Sequence, residues 1–192
     1  MIISINKNKF DHTGNVFFTS DTHYSHLNII KYCNRPFSSV SEMNEKLIEN
    51  WNNVVSDSDI VFHLGDFAFG GSSVWNDILA RLKGSIYLIL GNHDYVQLEP
   101  SIKQKFKGVY NQVTLRIDKT EILLNHYPFL CYAGSNRGTW QLFGHVHSGG
   151  STEGFDIPRL QYLMKNQYDV GVDNNNYTPI SFTQLKDKFN EV

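Results

Sequence analysis

Between residues 16 and 90 the chain alternates short apolar runs with amphipathic stretches, and this rhythm constrains the fold more than any other feature. Residues 16–20 (VFFTS), 59–64 (DIVFHL) and 86–90 (IYLIL) have strand length and are rich in β-branched and aromatic side chains. The first stretch between them opens at Ser39 with Glu42 three residues on, the spacing of a capping box. It carries Met43, Leu47, Trp51 and Val54 on one stripe and runs to about Val55. The second takes Ser72 or Ser73 as its cap, carries Val74, Ile78, Leu79 and Leu82, and ends at Gly84. Such a βαβαβ run predicts parallel strands with helices across the sheet. Residues 86–90, apolar throughout, suit a strand covered on both faces. After about Val109 the pattern changes. Residues 113–117 and 121–125 read as a hairpin around Asp118 and Lys119, and 140–143 as another short strand. A closing helix starts at Ser181, with Gln184 again at capping-box spacing.

Composition sets outer limits. A chain of 192 residues, 41% hydrophobic and 14% aromatic, without repeats or linker-like tracts, predicts a single domain over 1–192. The formal net charge of −2 argues against a dominant nucleic-acid-binding surface. Lys103, Lys105 and Lys107 read first as a solvated helix face. Cys33 and Cys131 sit in no CxxC spacing and make no disulfide framework. No apolar run reaches membrane-span length, and the first ten residues lack the apolar stretch of a signal peptide. These features predict a reduced, cytoplasmic protein without a membrane partner.

Polar residues gather where the predicted strands end. The first runs into Asp21-Thr22-His23, the second into Gly65-Asp66, the third into Gly91-Asn92-His93-Asp94. The 121–125 strand runs into His126, and 140–143 into Gly144-His145-Val146-His147. In open α/β sheets ligands bind beyond the carboxyl ends of strands. Oxygen and imidazole donors suit Mn, Fe, Zn or Ni rather than thiophilic ions. Glycine before Asp66, Asn92 and His145 fits strands that turn sharply. Singly, an Asp-x-His or a Gly-Asp is an ordinary turn, and a lone histidine is more often core or surface. Their joint occurrence, each at a strand end, is what points to a metal centre.

These residues resemble the five motifs of the calcineurin-like metallophosphoesterases: Asp21-x-His23, Gly65-Asp66, Gly91-Asn92-His93-Asp94, His126 and Gly144-His145-x-His147. The run from Asp21 through His26 and Asn28 is similar to small bacterial and phage members. The resemblance implies an α/β four-layer αββα sandwich with mixed central sheets. It also implies that Asp21, His23, Asp66 and His147 hold one metal while Asp66, Asn92, His126 and His145 hold a second, Asp66 bridging. The text Gly65-Asp-Phe-Ala-Phe-Gly70, and Leu90 before Gly-Asn-His, depart from the protein-phosphatase and dinucleotide-tetraphosphatase branches. No residues remain for a large cap domain of the DNA-repair nuclease kind.

Expected chemistry follows. Two divalent ions, Mn foremost with Fe, Zn or Ni as alternatives, outweigh the two ligand carboxylates and attract a small phosphate ester. The expected reaction is hydrolysis of a phosphodiester or phosphomonoester by a metal-bridging hydroxide, a phosphodiesterase sooner than a protein phosphatase. His93 follows a ligand and should act as general acid or leaving-group stabiliser, and Asp94 should accept its other N–H. His63, within a strand, reads as a satisfied core histidine, and His12 as a surface one. His26 reaches either the substrate at the site mouth or only a helix start. Arg35 and Arg137 read as loop arginines that could clamp phosphate, against the plainer reading of surface residues. Residues 127–139 read as a loop rimming the metals. The alternatives are a metal-dependent nuclease and a non-catalytic scaffold that keeps the fold.

Overall fold

A computed structural model of the chain describes residues 1–149 and 156–190. In chain order the elements are β1 (Ile2–Ile5), β2 (Asn8–Asp11), β3 (Val16–Thr19), α1 (Leu27–Tyr32), α2 (Val40–Val54), β4 (Ile60–His63), α3 (Gly71–Arg81) and β5 (Ser85–Ile89). They continue with α4 (Asp94–Gln97), α5 (Pro100–Lys103), β6 (Gly108–Tyr110), β7 (Gln112–Ile117), β8 (Thr120–Asn125), β9 (Trp140–Phe143), β10 (Gln167–Asp169), β11 (Ile180–Ser181) and α6 (Phe182–Asn190).

The predicted βαβαβ run forms the parallel heart of a five-stranded sheet, ordered β11-β3-β4-β5-β6. Val16 stands opposite Ile60, and Ile60 opposite Ser85, so these strands begin level with one another. Among the described residues only β11 runs antiparallel in this sheet. The second sheet, β10-β9-β8-β7-β1-β2, is also mixed: the predicted β7–β8 hairpin is antiparallel, while β8, β9 and β10 are parallel.

The two sheets pack face to face over Ile3, Val16, Phe18, Phe62, Leu115, Leu124 and Leu142. Helices cover the other face of the five-stranded sheet, where Phe17, Val61 and Leu88 meet Met43, Trp51, Trp75 and Ile78. The outer face of the six-stranded sheet carries a thinner layer. There the 127–139 loop, with a 3-10 turn at Ser135–Arg137, lies over Gln112, Thr114 and Leu123. The result is the two-sheet α/β sandwich that the resemblance implied. Among the described residues no helix is long and apolar enough to cross a membrane.

Some local expectations need correction. Ser39 Oγ accepts the Glu42 amide, as the capping box requires, and the Glu42 carboxylate also accepts the Ser38 amide and hydroxyl. The α2 stripe runs Met43, Leu47, Ile48 and Trp51, while Val54 is exposed. α3 starts before Ser72 and Ser73: its cap is Gly70, in the left-handed region at φ 100°. The closing helix shows the reciprocal capping box, with Ser181 and Gln184 exchanging bonds. The N-terminal β1–β2 hairpin went unread. Its turn places both Asn6 (φ 47°) and Lys7 (φ 75°) at positive φ, which Asn-Lys announces far less than Asn-Gly.

Candidate metal centre

Because β3, β4 and β5 run parallel, and β8 and β9 do likewise, their carboxyl ends share one edge of the sandwich. The loops leaving β3 and β4 stay joined beyond the sheet. The amides of Asp21, His23 and Tyr24 donate to the carbonyls of Gly65, Asp66 and Phe67 at 2.9, 3.0 and 2.9 Å. The backbone at this edge is unusual. Asp21, His23, Asp66, His145 and His147 all lie at positive φ, between 49° and 70°. Each such non-glycine residue costs roughly 1–3 kcal/mol, and strain of this kind concentrates at functional sites. Gly65, at φ 96°, does supply conformational freedom. Gly91 and Gly144 supply space instead: a Cβ would lie 2.3 Å from Asp66 Oδ1 at the first and 2.2 Å from Asp21 Oδ2 at the second.

Three histidines face two carboxylates in one manner. His126 Nδ1 donates to the Leu64 carbonyl at 2.7 Å. With Nδ1 so engaged, Nε2 faces Asn92 Oδ1, 3.1 Å away, and Asp66 Oδ2, 3.6 Å away. His23 Nδ1 meets His26 Nδ1 at 3.3 Å, and its Nε2 points between Asp66 Oδ2 (3.6 Å) and Asp21 Oδ1 (3.9 Å). His147 Nδ1 donates to Asp173 Oδ2 at 2.6 Å, and its Nε2 lies 3.9 Å from Asp21 Oδ1. Asp21 Oδ1 and His23 Nε2 are buried with no hydrogen-bond partner. Buried acceptors turned on one another need a cation between them.

Among the described residues three groups have ligand atoms within 4.8 Å of one another, and two of them face this edge: Asp21, His23 and His147, and Asp21, Asp66 and His126. Nitrogen and oxygen donors at this spacing fit divalent transition ions. Charge in the cation-free chain agrees. Burial, and then the Asp21 carboxylate, raise the pKa of Asp66. Burial, and then His147, hold His23 well below its ordinary value, leaving a neutral ring with a lone pair to give. At His147 burial opposes the charged form, yet the bonds to Asp173 and Cys33 and the Asp21 carboxylate outweigh it and lift the group to about 11. His145 belongs to neither group. Its amide donates to Asp21 Oδ2 at 2.8 Å, its ring centroid is 5.1 Å from that of His126, and its Nε2 is 3.7 Å from Asp156 Oδ2.

The supporting residues correct several expectations. Asp94 does not accept from His93. It is fully buried, and its carboxylate accepts the amides of Asp66 (2.8 Å), Phe67 (2.9 Å) and Gly91 (2.8 Å), tying the β4 and β5 loops together. Desolvation dominates its environment and raises its pKa to about 6. Arg35 is neither at the surface nor free to clamp phosphate. It is 4% exposed, pairs with Asp173 through two bonds of 2.9 Å, and donates to the carbonyls of Asp21 and Thr22. Arg137 is exposed but lines a groove with Gln112, Glu121 and Cys131 on the outer face of the six-stranded sheet, not the metal edge. His63 is a core histidine, bonded to the Thr22 hydroxyl at 2.9 Å and the Gly65 amide at 3.2 Å. Burial drives its pKa down to about 3.

At the rim, His93 caps α4 through its backbone, and its amide donates to Asp66 Oδ1 at 3.0 Å. Its ring is about half exposed, with Nε2 3.9 Å from Asp66 Oδ2. Phe69 contacts both His26, stacked at 4.1 Å, and His93 at 5.0 Å. His26 is thus at the helix start and at the site mouth together. Tyr127, at the start of the 127–139 loop, packs edge-on against His126 and His145.

Phe69, Asp169 and Asp173 escaped the sequence reading. Asp169 accepts the Ser148 amide and hydroxyl and secures the loop after His147. Both aspartates sit in YDVGVDNNN, a stretch that reads as an ordinary Asp/Asn turn. The double aspartate around Gly171 was the only available signal.

Comparisons with known proteins agree with this geometry. Residues 14–170 match the family described as calcineurin-like phosphoesterase. An uncharacterized protein of Methanocaldococcus jannaschii is 39% identical over 169 residues, 86% of each chain. The gene 66 protein of Mycobacterium phage L5 is 27% identical over 83% of this chain and 87% of its own. A crystal structure of a protein of unknown function from Aquifex aeolicus superposes with a TM-score of 0.72 at 26% identity. It spans 91% of this chain and 99% of that one.

Proposed function

The chain belongs to the calcineurin-like phosphoesterase family, and on that premise we propose that it hydrolyses a small phosphodiester or phosphomonoester at a two-metal centre. One observation carries the reading. Three histidines, each held at Nδ1, turn Nε2 towards Asp21 and Asp66. A structural cluster has no need of this arrangement, and a non-catalytic scaffold gains nothing from the backbone strain beneath it.

Asp21, His23 and His147 would hold one ion. Asp66, Asn92, His126 and His145 would hold the other, with Asp66 shared. Divalent ions, when bound there, polarise the phosphoryl group and acidify a water. The donor set favours Mn²⁺, with Fe, Zn or Ni as alternatives. His93 stands beside the set with its ring open to the rim, placed to give its proton to the leaving oxygen. Phe69 packs against that ring at 5.0 Å, and His26, stacked on Phe69, lies on the same side, where His26 also meets the substrate. Asp94 acts through the loops of Asp66 and Gly91. Arg35 and Arg137 have no part in substrate binding. The formal charge of −2 favours a small ester over a nucleic acid.

The test is chelation. Protein stripped with EDTA should lose turnover of bis(p-nitrophenyl) phosphate and p-nitrophenyl phosphate, and Mn²⁺ should restore at least one. Full turnover by the metal-free protein would refute the proposal.

A further inference from the structure

The third group of ligand-type side chains, Cys33, His147 and Asp173, has its atoms within 4.8 Å of one another yet differs from the other two. Arg35 lies against it. Both oxygens of Asp173 accept from this guanidinium at 2.9 Å, so a positive charge already occupies the place a cation would take. Such a cluster supports a site instead of forming one. Arg35 and Asp173 are both at least nine-tenths buried and stand 138 residues apart in sequence. A pair this remote and this desolvated is held by a demand of the fold around it.

We propose that Arg35 and Asp173 form a positioning relay behind His147, fixing its ring so that Nε2 faces Asp21. The proposal rests on the two-metal reading above. Asp173 accepts the hydrogen bond of His147 Nδ1–H at 2.6 Å and so leaves Nε2 as the nitrogen that faces Asp21. Arg35 fixes Asp173 and, with its remaining donors, binds the carbonyls of Asp21 (2.7 Å) and Thr22 (3.0 Å). One guanidinium thereby ties the first motif to the last. The segment that bears Asp173 is itself fastened to this edge: Gly171 bridges Ser20, and the Val172 amide donates to the Ser20 carbonyl at 3.0 Å. Asp173 lies outside the 14–170 span that matches the family, so this support comes from chain beyond it. Neither residue is catalytic, since neither reaches the open face of the site.

Two readouts test the relay, and one needs no metal. In metal-free ¹⁵N-labelled protein, His147 Nδ1–H should give an exchange-protected proton resonance, absent from Asp173→Ala. By calorimetry, Asp173→Ala should bind Mn²⁺ roughly 10–100-fold more weakly. If that variant fails to fold because Arg35 is left unpaired, Arg35→Met with Asp173→Leu removes both charges together and reads the same quantities. A variant that keeps both the resonance and full affinity overturns the relay, and so does an affinity loss with the resonance intact. Wild-type protein that shows the resonance but takes up no Mn²⁺ contradicts the metal-centre reading beneath it.

Discussion

Asp94 Oδ2 accepts the amide of Asp66 at 2.8 Å, so a buried carboxylate outside the metal set holds the backbone of the residue at its middle. The same side chain also holds the amides of Phe67 and Gly91. Asp94→Ala should strand three buried donors and destabilise the protein by about 2–4 kcal/mol. Chemical denaturation measures the loss, and Mn²⁺ affinity should fall with it although no ligand has changed. Wild-type stability in Asp94→Ala would show that water replaces the carboxylate without cost.

Gly91 tests the same junction from the other side. A Cβ there would lie 2.3 Å from Asp66 Oδ1 and 2.6 Å from the Asp66 amide nitrogen. The oxygen cannot move without releasing the His93 amide, nor the nitrogen without releasing Asp94. Gly91→Ala should therefore cost about 1–3 kcal/mol of stability and weaken Mn²⁺ binding. A variant with unchanged affinity would show that the loop has room the structure does not display.

His93 separates chemistry from metal binding. Its ring lies beside the two carboxylate–histidine groups and belongs to neither. His93→Ala should keep its metal and its fold but lose turnover by roughly 10²–10⁴-fold. The loss should be smallest for nitrophenyl esters, whose leaving group needs little protonation, and largest for alkyl esters. Equal losses on both would place His93 on the phosphoryl oxygens, and no loss on either would remove it from the reaction.

Asp59 offers a pH test remote from the metals. Burial opposes its ionisation, but the Ser56 amide and hydroxyl and the Asn15 amide outweigh it and hold its pKa below the ordinary value. A depressed folded pKa contributes stability that is complete above the unfolded value of about 3.9 and lost as pH falls through the folded one. Asp59→Asn should be less stable than wild type at pH 7, with the gap closing below about pH 4. A gap independent of pH would mean that the carboxylate charge has no role.

The sequence was most informative where period and chemistry coincide. Residues 16–20, 59–64 and 86–90 are strands because their apolar runs have no other place to go, and the polar residues after them must then share an edge. Asp21, His23, Asp66 and Asn92 come to one edge by that argument, while His126 ends a strand of the second sheet. What stayed hidden depends on contacts between distant segments. Arg35 looks like a loop arginine until Asp173 is placed against it, and Asp94 looks like a partner for His93 until its burial beneath the β4 loop is seen. The β1–β2 hairpin escaped because Asn6-Lys7 adopts a turn that its residues only weakly favour.

Asp66 stands at the centre of the account, with Oδ2 3.6 Å from Nε2 of both His23 and His126. The most direct test is the metal content of Mn²⁺-reconstituted wild type, His147→Ala and Asp66→Ala after gel filtration, measured by plasma mass spectrometry. The two-metal assignment predicts two ions per chain in wild type, one tightly held ion in His147→Ala, and neither ion tightly held in Asp66→Ala. Two ions retained by Asp66→Ala, or a single ion in wild type, would contradict it.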